Sequence, residues 1–211
     1  MIDMWKRWGI PIVAAIFTAA VSVFVYQDLP DPMAIHFNVN NEPDNFASRI
    51  VGAFMIPVLL VVLPMLINFS ARLEKDGQKV GRHLEMSGTV NAAVSIVLVA
   101  VHLLAIAYNL GYDIDISFYA PLVAGGLFIV VGNVLPRAPQ GTLRLFRMKE
   151  EAYARYARFS GRVLVGAGFV IMAAALLPGR AAGYAVVAIL AVLVLCSIVS
   201  AVYFSRQANT R

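Results

Sequence analysis

Six stretches of this chain contain no Asp, Glu, Lys or Arg: 8–27, 50–71, 86–112, 116–136, 163–179 and 181–205. They are 20, 22, 27, 21, 17 and 25 residues long. A helix that crosses a bilayer needs about 20 apolar residues, within a range of about 17–25. All six reach that length. The pattern predicts an all-α membrane protein of six transmembrane helices, one membrane domain over residues 1–211. The chain is 60% hydrophobic and 14% charged, against about 45–50% and about 25% in a soluble domain. A soluble enzyme or a DNA-binding domain is thereby excluded, and direct nucleic-acid binding is not expected despite a pI near 9.6. The connections are too short for a second globular domain.

Charge placement gives an orientation. With the N-terminus inside, Lys6 and Arg7, the connection between spans two and three, residues 137–162 and the tail hold 15 of the 17 basic residues; only Arg49 and Arg180 lie outside. The positive-inside rule then puts both termini in the cytoplasm. Lys6 and Arg7 followed by an apolar run resemble a signal peptide, but the run is too long and Phe17-Thr18-Ala19-Ala20 is a poor cleavage site, so an uncleaved first span is expected. Cys196 is the single cysteine, so no intrachain disulfide forms.

The halves 8–110 and 116–205 echo one another. Span one ends in Leu29-Pro30-Asp31-Pro32 and span four in Leu135-Pro136-Arg137-Ala138-Pro139. Span two is entered through Phe46-Ala47-Ser48-Arg49 and span five through Phe159-Ser160-Gly161-Arg162. Three spans per half would make an inverted repeat, with spans two and five adjacent and Arg49 and Arg162 equivalent at helix starts. The alternative is an echo of a composition rich in Gly, Ala, Val and Phe.

The outer loop 28–49 is the most informative segment. Pro30 and Pro32 end the first helix. Ile35-His36-Phe37-Asn38-Val39-Asn40 alternates as a half-buried strand would, and Asn41-Glu42-Pro43-Asp44 has turn chemistry. Arg49 is placed to pair with Glu42 or Asp44. The functional reading is a structured cap that contacts a ligand or peptide through Pro30, His36, Phe37, Asn38, Glu42, Asp44 and Arg49. An ordinary polar hairpin over the helix ends is the alternative. His36, Glu42 and Asp44 match no metal spacing, and no catalytic triad order, phosphate loop or cofactor motif occurs.

Span three carries Asn91, Ser95, His102 and Asn109 on one helix face, and span four carries Asn133. Such groups face the bundle or a wet cavity. They either join helices by hydrogen bonds or line a path with His102 as its proton-sensitive group. Pro57 and Pro64 should kink span two and free backbone carbonyls. The basic inner loop 137–162 suggests an amphipathic helix over Thr142–Phe159 lying on the inner leaflet. Leu143, Phe146, Tyr153, Tyr156 and Phe159 share one side of it, and Glu151 and Arg155 form an i,i+4 pair.

The loop Leu29-Pro30…Ile35-His36-Phe37-Asn38…Glu42-Pro43-Asp44 resembles the signature of the SdpI-type bacterial immunity proteins, approximately L-P-x-x-I-P-x-H-[FW]-N followed by G-x-P-D. Ala34 and Asn41 stand where that family often has Pro and Gly. A second signature, G-N-x-L-P, is matched by Gly132, Asn133, Leu135 and Pro136. The family's later G-[IL]-R-T-P-W-T and T-H-R-x-x-G elements are replaced by Gly141–Arg147 and by Arg158-Phe159-Ser160-Gly161-Arg162. The resemblance implies a multi-pass protein of the bacterial cytoplasmic membrane that protects against a secreted membrane-active toxin peptide. It also implies, for some members, an ArsR-type repressor held on the inner face. It implies no enzyme activity and no cofactor. Two other readings stay open: a small transporter built from inverted repeats, though no span holds an acid, and a membrane enzyme using His36 with Glu42 or Asp44.

Overall fold

The computed structural model describes residues 5–72, 77–138, 148–178 and 180–207. Among them, six helices are long and apolar enough to cross a membrane, as the charge-free stretches predict. A π-helical turn, Trp5–Gly9, leads into α1 (Ile10–Val25). A β-hairpin of β1 (Met33–Phe37) and β2 (Pro43–Ala47) follows, so the all-α expectation gains a small sheet. Then come α2 (Arg49–Arg72), α3 (Gly77–Asn109), α4 (Ile116–Val134), α5 (Glu150–Ala174) and α6 (Arg180–Gln207). The chain is a multi-pass membrane protein.

The bundle is apolar outside and small or polar inside. Phe24, Val23, Ile16, Ile96, Leu195 and Val199 stand exposed on the helices, a surface that only lipid tails can cover. Thr18, Ser22, Asn91, Ser95 and His102 are instead fully or almost fully buried. Packing among membrane helices depends on close approach and hydrogen bonds, because lipid removes the hydrophobic drive between them.

Helices α1, α2 and α3 pack on one another, α4, α5 and α6 do likewise, and α3 against α4 joins the trios. The tightest pair is α4 with α5. A Cβ at Gly125 would come within 2.5 Å of the Gly168 carbonyl, and one at Gly132 within 2.7 Å of the Gly161 carbonyl. Glycine is needed there because backbone meets backbone. Spans two and five share no packed face, which corrects the adjacency expected from an inverted repeat; the glycine face of α5 is taken up by α4.

Arg49 starts α2 as expected, but Arg162 lies well inside α5, which begins at Glu150. Glu150 and Glu151 in the first turn suit the positive end of the helix dipole, and nothing downstream breaks the helix. The expected surface helix is accordingly not separate over 150–159. Those residues are the first turns of span five, and Tyr156 and Phe159 meet Phe204 of α6 at ring distances of 6.3 and 6.1 Å. Glu151 and Arg155 form no ion pair. Thr142, Leu143 and Phe146, and with them the element Gly141–Arg147, lie outside the described residues.

Candidate functional site: a hairpin cap over a polar column

The hairpin is built by its own side chains. Asn38 Oδ1 accepts from the amides of Asn40 (2.8 Å) and Glu42 (3.1 Å), and the Asn38 amide donates to the Glu42 carbonyl at 2.9 Å. Asn41 holds φ at 64°, a left-handed conformation that Asn tolerates. Glu42 accepts from the side-chain amides of Asn38 (3.1 Å) and Asn40 (3.4 Å). Those bonds, Asn38's first, and the nearby Arg180 hold its carboxyl below the usual glutamate value. A lowered pKa means that this support is present above the ordinary glutamate range and is lost as pH falls through the lowered value.

Four contacts clamp the hairpin to the bundle. The Asn109 side chain takes the free edge of β1: its Oδ1 accepts from the Ala34 amide at 2.8 Å and its Nδ2 donates to the Ala34 carbonyl at 2.9 Å. The Phe37 ring meets Tyr108 of α3 edge to face at 4.5 Å. Asn41 Oδ1 accepts from the Ile116 amide at the start of α4, at 2.8 Å. Val39 lies against Gly183 of α6, where a Cβ would come within 2.8 Å of it. Beneath the cap, Leu29, Met33, Ala53 and Ile106 form a small buried cluster. The hairpin thus spans both trios.

What it leaves outward is a short polar face. His36 Nδ1 lies 2.5 Å from Asp44 Oδ1, with the two side chains 66% and 41% exposed, and Phe46 is half exposed. Pro30 is also exposed. Arg49 does not pair with Glu42 or Asp44. Its guanidinium sits over the Tyr26 ring at 5.6 Å and its amide donates to Asp31 Oδ1 at 3.1 Å, because β2 directs Asp44 to His36 and the turn occupies Glu42. Among the described residues no third metal-type side chain joins His36 and Asp44.

Below the cap, the polar stripe of α3 faces α1. His102 Nε2 is 3.1 Å from the Thr18 carbonyl and 3.2 Å from Ser22 Oγ, and Ser22 Oγ donates to the Ala53 carbonyl at 2.6 Å. A carbonyl only accepts, so Nε2 carries the proton and Ser22 accepts it while donating onward. Ala53 stands four residues before Pro57, whose ring nitrogen offers it no N–H; Ser22 satisfies the carbonyl that the proline frees. Asn68 Nδ2 donates to the Pro64 carbonyl at 2.8 Å, and Ser87 donates to Asn68 at 2.9 Å. Asn91 Nδ2 donates to the Arg7 carbonyl at 3.1 Å, whereas Asn91 Oδ1 and Ser95 Oγ are buried without a partner among the described residues. Asn133 stands apart on α4, exposed, donating to the Ile129 carbonyl at 3.0 Å.

Sequence reasoning singled out the α3 stripe and missed its partners on α1. The signal was present: Thr18 and Ser22 are the only hydroxyls four apart in an otherwise apolar span until its end. It also missed Asp31 and Asn41 as helix-start acceptors.

The comparisons with known proteins fall on these elements. Residues 13–61, covering most of α1, the hairpin and the first half of α2, match the family model Domain of unknown function DUF1648. The chain is 28% identical to Immunity protein SdpI of Bacillus subtilis (strain 168) over 199 residues, 92% of this chain and 91% of that protein. It is 42% identical over 55 residues to the uncharacterized membrane protein YbgB of the same organism, 26% of this chain and 56% of that protein. No solved structure matches the chain.

Proposed function

We propose that the chain is an SdpI-type membrane immunity protein, a reading supported by its 28% identity to Immunity protein SdpI over 92% of its length, and that it confers tolerance to a secreted membrane-active toxin peptide through its hairpin cap. The observation that carries the reading is a hairpin clamped to α3, α4 and α6 that still presents His36, Asp44 and Phe46 outward. A hairpin serving only as a connector would have no need of those clamps. The cap end holds Asp28, Asp31, Glu42, Asp44, Asp113 and Asp115 against Arg49 and Arg180. That balance favours a cationic peptide, by electrostatic complementarity. Binding and retention on the cap, with no covalent step, would keep the peptide from the lipid. Cells that make the chain should survive peptide challenge better than cells with an empty vector; equal survival counts against the reading. The family's inner-loop elements are replaced in this chain, so we assign it tolerance without the repressor arm of the family role.

The proposed setting is the bacterial cytoplasmic membrane, with the hairpin outside and both termini in the cytoplasm. The placement of 15 of 17 basic residues supports it. In a Cys196→Ser background, an impermeant maleimide should label Asn40→Cys and Asp113→Cys in intact cells but not Met148→Cys. Labelling at position 148 overturns the orientation.

A small transporter is the second reading, and Asn91 Oδ1 and Ser95 Oγ, buried without a partner among the described residues, favour it. Solute flux in proteoliposomes that Asn91→Leu abolishes would identify it; absence of flux removes it.

A further inference from the structure

At the end of the bundle away from the hairpin, α4 and α5 enclose a pocket of about 380 Å³ lined by Asn133, Arg158 and Arg162, with Gly132, Gly161 and Pro136 among its walls. The glycine contact explains the space. Where Gly132 and Gly161 bring the two backbones together no side chain fills the angle between the helices, and a Cβ at Gly161 would meet the Pro136 ring at 2.9 Å. Arg158 and Arg162 are one turn apart on α5 and therefore share a face. Both are exposed. Neither has an acidic partner among the described residues. The nearest carboxylates along the helix, Glu150 and Glu151, lie about 10 Å or more below Arg158 at 1.5 Å per residue. Residues 139–147, which connect the two helices, contain no Asp or Glu.

The pocket also sits at a defined depth. Arg162 is the last charge before the charge-free stretch 163–179, and Arg137 the first after 116–136. That is the level where a spanning helix passes from hydrocarbon to headgroups. Two guanidiniums with no acidic partner among the described residues, at that level, in a cleft between helices, have the chemistry that takes a lipid phosphate. Asn133 keeps one amide hydrogen beyond its bond to Ile129, available to a glycerol oxygen. We propose that this pocket is a specific site for an anionic glycerophospholipid, with Arg158 and Arg162 on the phosphate. The site orders the α4–α5 end of the bundle by neutralising charge that the described residues leave uncompensated.

The test uses the purified full chain in detergent micelles doped with equal phosphatidylglycerol and phosphatidylcholine, with retained lipid counted by native mass spectrometry. The wild type should retain phosphatidylglycerol selectively. Arg158→Gln with Arg162→Gln should lower its affinity roughly 30-fold, the loss expected for two basic groups at an anionic headgroup. Arg137→Gln with Arg155→Gln removes the same charge from positions that do not line the pocket and should leave retention within about twofold of wild type. The proposal is overturned if both double variants lose lipid equally, or if the Arg158/Arg162 variant retains it. It is also overturned if millimolar inorganic phosphate displaces the lipid, since the site would then be one for the free anion. None of these readouts involves toxin survival, so failure here leaves the hairpin reading untouched.

Discussion

Gly125→Ala and Gly168→Ala should each lower the melting temperature of the purified protein by about 6–12 °C. Gly126→Ala and Gly166→Ala, one or two residues away, should leave it unchanged or raise it. A methyl group at position 125 would lie 2.5 Å from the Gly168 carbonyl, and one at 168 would lie 2.7 Å from the Gly125 carbonyl. Both obstacles are backbone, so α4 and α5 must separate rather than adjust a side chain. Overpacking of that kind costs about 3 kcal/mol at the upper end of the usual range, and a chain of this size loses roughly 2–4 °C per kcal/mol. At Gly126 and Gly166 nothing lies within 4 Å of the added carbon, and alanine is the better helix former by about 1 kcal/mol. A detergent-based thermal-shift assay of the four variants checks the contrast. Equal losses at all four sites would mean that α4 and α5 do not meet on this face.

The second large effect should come from Asn109→Leu. The Ala34 residue is buried, and the Asn109 side chain satisfies both its amide and its carbonyl. Orphaning a buried backbone group costs about 1–3 kcal/mol, so the substitution removes about 2–6 kcal/mol from the clamp on β1. The six spans retain their own contacts. The expected outcome is a protein of near-normal abundance whose segment 33–47 exchanges amide hydrogens at least tenfold faster than wild type. Unchanged exchange there would show that Phe37, Asn41 and Val39 hold the hairpin without Asn109.

The fold was legible to the extent that the bilayer dictates it. Runs without charge mark spans, because an unpaired charge in hydrocarbon is costly. Helix ends were less legible, since a helix continues past the membrane wherever its residues allow. Hence α5 starts at Glu150, well ahead of the charge-free stretch at 163. In the cap, alternation revealed one strand and the asparagines revealed a turn. The second strand, Pro43-Asp44-Asn45-Phe46-Ala47, has poor strand formers at its first three positions and exists because β1 pairs with it. The His36–Asp44 contact follows from that pairing, which is why local sequence suggested Arg49 as the partner instead. The α3 stripe was readable from periodicity alone. That Ser22 would answer a carbonyl freed by Pro57 was not, because it depends on how α1 and α2 are placed together. The glycine contact between α4 and α5 likewise needs the pairing of 125 with 168 and 132 with 161, which no single helix reveals.

In the proposed function the hairpin face, rather than the bundle beneath it, provides tolerance. His36→Ala and Asp44→Ala remove the exposed pair without touching Asn109, Phe37 or Asn41, so the clamp and the spans should persist. Survival after challenge with the membrane-active peptide against which the wild-type chain protects is the direct measurement, read beside membrane abundance. Both variants should reach the membrane at near wild-type levels, and protection should fall at least tenfold. Full protection by both variants would contradict that function and reduce the hairpin to a connector.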